Sequence, residues 1–134
     1  MGARLQLLAL SLWPLPVGAG LRWRQRGLNA ESEILRQACF ERAAQAGDLD
    51  ALVLLGELHA RRGHRDLAWS LFRAAAEGGH TVGAFRYAEL TRWEFPGGAQ
   101  GLQASETWYQ RAAEAGYGPA IAWLAHAFEA GEGR

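Results

Sequence analysis

The sequence predicts an all-α fold, a short α-solenoid of antiparallel helix pairs. Three observations predict it. A small-residue turn recurs three times along the chain, at Ala43-Ala44-Gln45-Ala46-Gly47, Ala75-Ala76-Glu77-Gly78-Gly79 and Ala112-Ala113-Glu114-Ala115-Gly116. Aromatic and small residues recur in register around each turn. No segment sustains the alternation of apolar and polar residues that a half-buried strand needs.

The turns are 32 and then 37 residues apart. The extra five residues fall around Pro96-Gly97-Gly98-Ala99-Gln100, which reads as a loop insertion. Seven residues before each anchor glycine stands an aromatic: Phe40, Phe72, Tyr109. Eight residues after it comes a large apolar residue (Leu55, Tyr87, Leu124), then a small one (Gly56, Ala88, Ala125). Each unit therefore reads as two helices joined at a glycine that takes the left-handed conformation without strain.

The elements follow in order. Residues 1–28 carry Arg4, Arg22, Arg24 and Arg26 and no acid, whereas the remainder carries ten Arg against fourteen acids. The apolar run Leu5–Leu12 ends at Trp13-Pro14-Leu15-Pro16, where proline breaks a helix. Val17-Gly18-Ala19 resembles a signal cleavage pattern, but three Arg after the run oppose translocation. The segment is thus a signal, a membrane-surface helix or a helix packed as a cap. Residues 29–134 form the repeat domain. Its helices are expected near 30–46, 49–61, 65–78, 81–94, 104–115 and 118–130. The first of each pair has an apolar stripe: Leu35, Phe40 and Ala43; Ala68, Leu71, Phe72 and Ala75; Trp108, Tyr109 and Ala112. Leu52, Leu55 and Leu58 are the stripe of the second helix. Asp48 and Thr81 suit side-chain caps, and Gly118-Pro119 a helix start.

This pattern resembles Sel1-like repeats, relatives of the tetratricopeptide repeat, over residues 30–133. Ala51 and Ala120 match that family's alanine four residues past the glycine, with Gly83 in the middle copy. Leu55-Gly56 matches its Leu-Gly pair, and Gly131-Glu132-Gly133 its Gly-x-Gly loop. The resemblance implies an adaptor or assembly scaffold, often bacterial. Secreted relatives with a disulfide in each repeat are a branch from which this chain, with Cys39 alone, departs.

Composition narrows the function classes. The 134 residues make one domain at most, 49% apolar and 21% charged, which excludes wholesale disorder. A net charge of zero disfavours nucleic acid as a partner. The sequence shows no catalytic constellation, no cofactor motif and no metal-ligand spacing. His59 and His64 lie five apart across a helix end, and His80 merely follows a glycine. Cys39 takes a core position, and no serine has the Gly-x-Ser-x-Gly context of a hydrolase. The expected function is a non-catalytic protein-binding module; the alternative is an exported or membrane-associated accessory protein targeted by residues 1–28. Cytoplasmic localisation is slightly favoured.

The partner, a protein or peptide, is expected on the wall formed by the second helix of each pair. Its aligned polar positions are Glu57, Glu89 and His126, then Arg92 and Glu129, with Arg61 and Trp93 a step further. Trp69 and Trp93 fall where the stripe predicts an edge. An apolar face near Leu124 and Phe128 is expected to need a cover: the N-terminal segment, a second copy in a homo-oligomer, or a partner.

Overall fold

The computed structural model describes residues 18–130, and these are all-helical, with no strand among them. In chain order the helices are α1 (Ala19–Leu28), α2 (Glu33–Gln45), α3 (Leu49–Arg61), α4 (Arg65–Glu77), α5 (Thr81–Trp93), α6 (Gly98–Glu114) and α7 (Gly118–Ala130). Each helix packs chiefly on its neighbours in the chain. The apolar run at residues 5–12 and the loop at residues 131–133 lie outside the described residues.

The three anchor glycines adopt the left-handed conformation, with φ of 89° at Gly47, 96° at Gly79 and 89° at Gly116. There they reverse the chain between α2 and α3, α4 and α5, and α6 and α7. Gly18, with φ of 82°, precedes α1 in the same way. α1 is an element that sequence periodicity did not reveal. Nine residues past Gly18 stands Gly27, as Gly56 stands nine past Gly47. A β-carbon on Gly27 would lie 2.6 Å from the Phe40 ring, and one on Gly56 2.5 Å from the Phe72 ring. So α1 meets α2 as α3 meets α4, each ring lying against a position where only hydrogen fits. At the third such position Ala88 and Tyr109 share one buried cluster.

Three expectations are corrected. Of the residues around 96–100, read as a loop insertion, Pro96 and Gly97 do lie in the connection, but Gly98, Ala99 and Gln100 are helical. α6 begins at Gly98 and runs for 17 residues, where its counterparts α2 and α4 have 13. Gly101 permits this, because its α-carbon approaches the Thr91 and Arg92 carbonyls so closely that a β-carbon would stand 2.4 Å from the former oxygen. Thr81 is not the cap of α5; His80 is. Its Nδ1 accepts the Gly83 N–H at 3.1 Å, which leaves the proton on Nε2 to donate to Asp50 Oδ1 at 2.6 Å. Leu35 is not core but 51% exposed, the buried side of α2 being Cys39, Phe40, Glu41 and Ala43.

The expected cap at Asp48 is present, its Oδ2 accepting the Ala51 N–H at 3.1 Å. Arg24 Nε donates to the same oxygen at 2.7 Å and Arg24 Nη2 lies 3.4 Å from Asp50. Arg24, Asp48, Asp50 and His80 thereby link the starts of α3 and α5 to α1 along one edge.

The glycine conformations give a paired expectation. Gly79→Ala should lower unfolding stability by about 1 kcal/mol, the cost of forcing a side chain into the left-handed region. Gly118→Ala, at an open position without positive φ, should leave it unchanged or raise it slightly. Urea denaturation of the two variants checks both.

Candidate functional groove

α3 and α5 flank a groove of about 440 Å³. α3 contributes Glu57, Ala60 and Arg61; α5 contributes Arg86, Glu89, Leu90 and Trp93; and Phe72 and Arg65 of α4 complete it. Helical spacing places the α5 set on one face, at i, i+3, i+4 and i+7. The apolar part is buried Phe72 and Leu90, so a ligand side chain entering here leaves water for a hydrocarbon surface.

The rim is polar and mostly paired. Arg86 Nε lies 3.7 Å from Glu57 Oε1 and Arg86 Nη1 3.4 Å from Glu89 Oε1. Arg65 pairs with Glu94 at 2.5 Å. These contacts are solvent-screened and contribute little to stability; they hold the guanidinium groups in place around the opening. Trp93 is 67% exposed, with the Arg92 guanidinium 4.5 Å from its ring centroid. A cation over the indole face holds the ring without burying it.

Of the seven residues the sequence put on this wall, Glu57, Arg61, Glu89 and Trp93 come together in the groove. Arg92 turns to the other side, where it also lies 5.2 Å from the Trp123 ring centroid. His126 and Glu129 are exposed on α7, away from the groove. Sequence reasoning missed Arg65, Arg86 and the floor residues. Arg86 carried a readable signal, since it stands one helical turn before Glu89 and two before Trp93. Phe72 did not, because a core aromatic at the repeat position gave no sign of reaching a surface.

Trp69 is placed differently from Trp93. It is partly buried between helices, its Nε1–H donating to Thr91 Oγ1 at 2.9 Å and its ring stacking on Phe95 at 5.4 Å. His59 and His64, five residues apart across a helix end, are in contact: Nδ1 to Nδ1 is 3.4 Å, because the α3–α4 turn brings the second ring beside the first. Among the described residues no group of three or more His, Cys, Asp or Glu side chains could hold a metal ion. Cys39 is a buried thiol. No described helix is long and apolar enough to cross a membrane. No family model, no curated protein and no solved structure matches the chain.

Behind the groove, Tyr109 is buried against Trp123, ring centroids 3.8 Å apart. Burial pushes its phenol up to about 12; the Glu89 carboxylate adds to the rise and Arg92 opposes it. In the unfolded chain the phenol ionises near its ordinary value of about 10. Between those values the unfolded chain holds fewer protons, so stability falls as pH rises. The contribution is full below about pH 10 and lost toward about 12. The chain has no lysine, so tyrosines are the side chains that ordinarily titrate in this window. Urea midpoints across it should fall with pH in the native chain and fall less in Tyr109→Phe.

Proposed function

We propose that this protein is a non-catalytic adaptor, a short α-solenoid of Sel1-like helix pairs that holds a peptide segment of a partner protein in the groove between α3 and α5. The observation that carries the reading is Trp93, a large apolar ring two-thirds exposed at the rim of a groove with a hydrocarbon floor. Exposed tryptophan beside arginine is the composition of an interface hot spot. The groove has room for a few side chains of an extended or helical peptide. Glu57, Arg61, Arg65, Arg86 and Glu89 supply donors and acceptors that fix the peptide's direction, while Trp93 and Phe72 supply apolar contact.

Support for the solenoid comes from chain-neighbour packing, from left-handed glycines at the repeated turns, and from the twofold recurrence of ring against glycine. Stacked units of this type share one elongated core and present one helix of each pair on a common wall.

The test is capture under native conditions from the cells that make the protein, with the tagged native chain and the Trp93→Ala variant in parallel. The expected result is a near-stoichiometric partner whose Kd rises about thirtyfold in the variant, the usual size of a hot-spot loss. Arg61→Glu should weaken the same partner, and neither change should shift the melting temperature. A partner held equally by both variants would remove the groove from the account. Recovery of the bare chain alone would remove the adaptor.

A further inference from the structure

A second cleft, of about 160 Å³, opens between the end of α4, the start of α5 and the end of α6. Among the described residues it shares none of its lining with the groove between α3 and α5. The repeat register explains why it is there. Two residues past the first anchor glycine stands Leu49, and five past it Leu52; in the next pair the same positions are Thr81 and Ala84. Both of these shorter residues line the cleft.

One pair earlier the two leucines occupy the corresponding space. Leu49 packs on Gly78 at the end of α4, where a β-carbon would lie 2.7 Å from the Leu49 side chain. Leu52 packs against the buried cluster of Phe40, Leu55 and Leu71. Downstream the counterpart of Gly78 is Ala115 and that of Leu71 is Trp108. Trp108 does not close the gap. Its ring is turned onto Tyr87, with centroids 5.3 Å apart at an interplanar angle of 80°, so the indole stands as a wall of the cleft. Buried Ala84 and Ala112 form the apolar floor.

The mouth carries one cation without a carboxylate. Arg111 is exposed, and its guanidinium lies 4.6 Å from the Trp108 ring centroid, held over the indole face. Among the described residues no carboxylate lies within ion-pair distance of it. The other titratable groups of the cleft are engaged: Glu77 Oε1 lies 3.4 Å from Arg73 Nε, and His80 Nε2 donates to Asp50 Oδ1. A ligand carboxylate at the mouth therefore meets a guanidinium that no neighbouring acid neutralises.

We propose that this cleft binds a free, branched short-chain carboxylate, its branched end in the space that leucine side chains occupy one pair earlier and its carboxylate on Arg111. Size sets the first half of that chemistry. A cavity of about 150 Å³ accepts one benzene-sized group, and a leucine-sized group is of the same order. Pockets for larger ligands start at about 300 Å³, so this one takes a small molecule whole. Moving the branched end out of water onto Ala84, Ala112 and Trp108 supplies the apolar part of the binding. Charge sets the second half, because a guanidinium and a carboxylate form two parallel charge-assisted hydrogen bonds. The site is independent of the groove and of the partner proposed there.

The probe is 4-methylpentanoate, a leucine side chain extended to a carboxylate. It is titrated into the full-length chain while the Trp108 indole N–H signal is followed by NMR. Saturable shifts with a Kd on the order of 1 mM are expected. The uncharged isostere 4-methylpentanamide should bind about tenfold more weakly, and in Arg111→Gln acid and amide should bind alike. Thr81→Leu places in the cleft the residue found at that position one pair earlier. It should abolish binding and raise the melting temperature, since filling a gap stabilises a fold. Trp93→Ala, in the groove, should leave binding unchanged. The proposal is overturned if 4-methylpentanoate gives no saturable shift, if Thr81→Leu binds it as tightly as the native chain, or if Arg111→Gln still prefers acid to amide. It is also overturned if Thr81→Leu lowers the melting temperature, for then no gap was there to fill. Binding of N-acetyl-leucine about tenfold tighter than 4-methylpentanoate would overturn it too, for then the end of a polypeptide is the occupant.

Discussion

The fold depends on an aromatic ring pressed against a residue with no side chain to obstruct it. Phe72 over Gly56 is the central instance: its ring approaches so near that a β-carbon at Gly56 would stand 2.5 Å from it. Interiors are close-packed, and a contact this tight fixes both the separation and the rotation of two helices. The same ring also lines the groove. Glu57 and Arg61 of α3 face Glu89 and Trp93 of α5 across a space whose width is set by where Phe72 sits between them. Phe40 over Gly27 repeats the contact upstream, and Ala88 with Tyr109 repeats it downstream with one added methyl group.

Much of this was legible in the sequence because the repeat makes each position visible several times. The anchor glycines, the buried aromatics seven residues before them and the helices of residues 33–93 follow from periodicity and turn chemistry. What escaped did so for physical reasons. α1 has no apolar stripe: its packing side is Ala19, Gly20 and Gly27, and close approach of glycine leaves no hydrophobic signature. Gly98 to Gln100 look like a loop, yet they extend α6 because Gly101 lets the helix approach the α5 carbonyls. His80 read as an incidental polar residue because imidazole is not a usual cap; here Asp50 holds the tautomer that leaves Nδ1 free to accept. Within the groove, helical spacing located Trp93 and Glu89 but gave no sign that Arg92, their neighbour, turns toward Trp123.

The functional reading rests on surfaces rather than on reactive groups. The groove couples an apolar floor to paired charges, and its exposed indole stands at the rim under an arginine. In the proposed reading the charges orient a bound segment and the indole contributes the area. The groove stands on helices, which hold side chains in place more firmly than loops do. Tyr109 lies behind the groove, buried and stacked on Trp123 of α7.

The contact of ring and glycine is open to direct measurement by a double-mutant cycle at Gly56 and Phe72. Gly56→Ala alone should destabilise by about 2 kcal/mol through overpacking, despite alanine's better helix propensity. In a Phe72→Leu background the same change should cost far less, giving a coupling of about 1 kcal/mol or more. Additive effects of the two changes would mean that the ring does not press on the glycine, and the contact placed at the centre of the fold would be wrong.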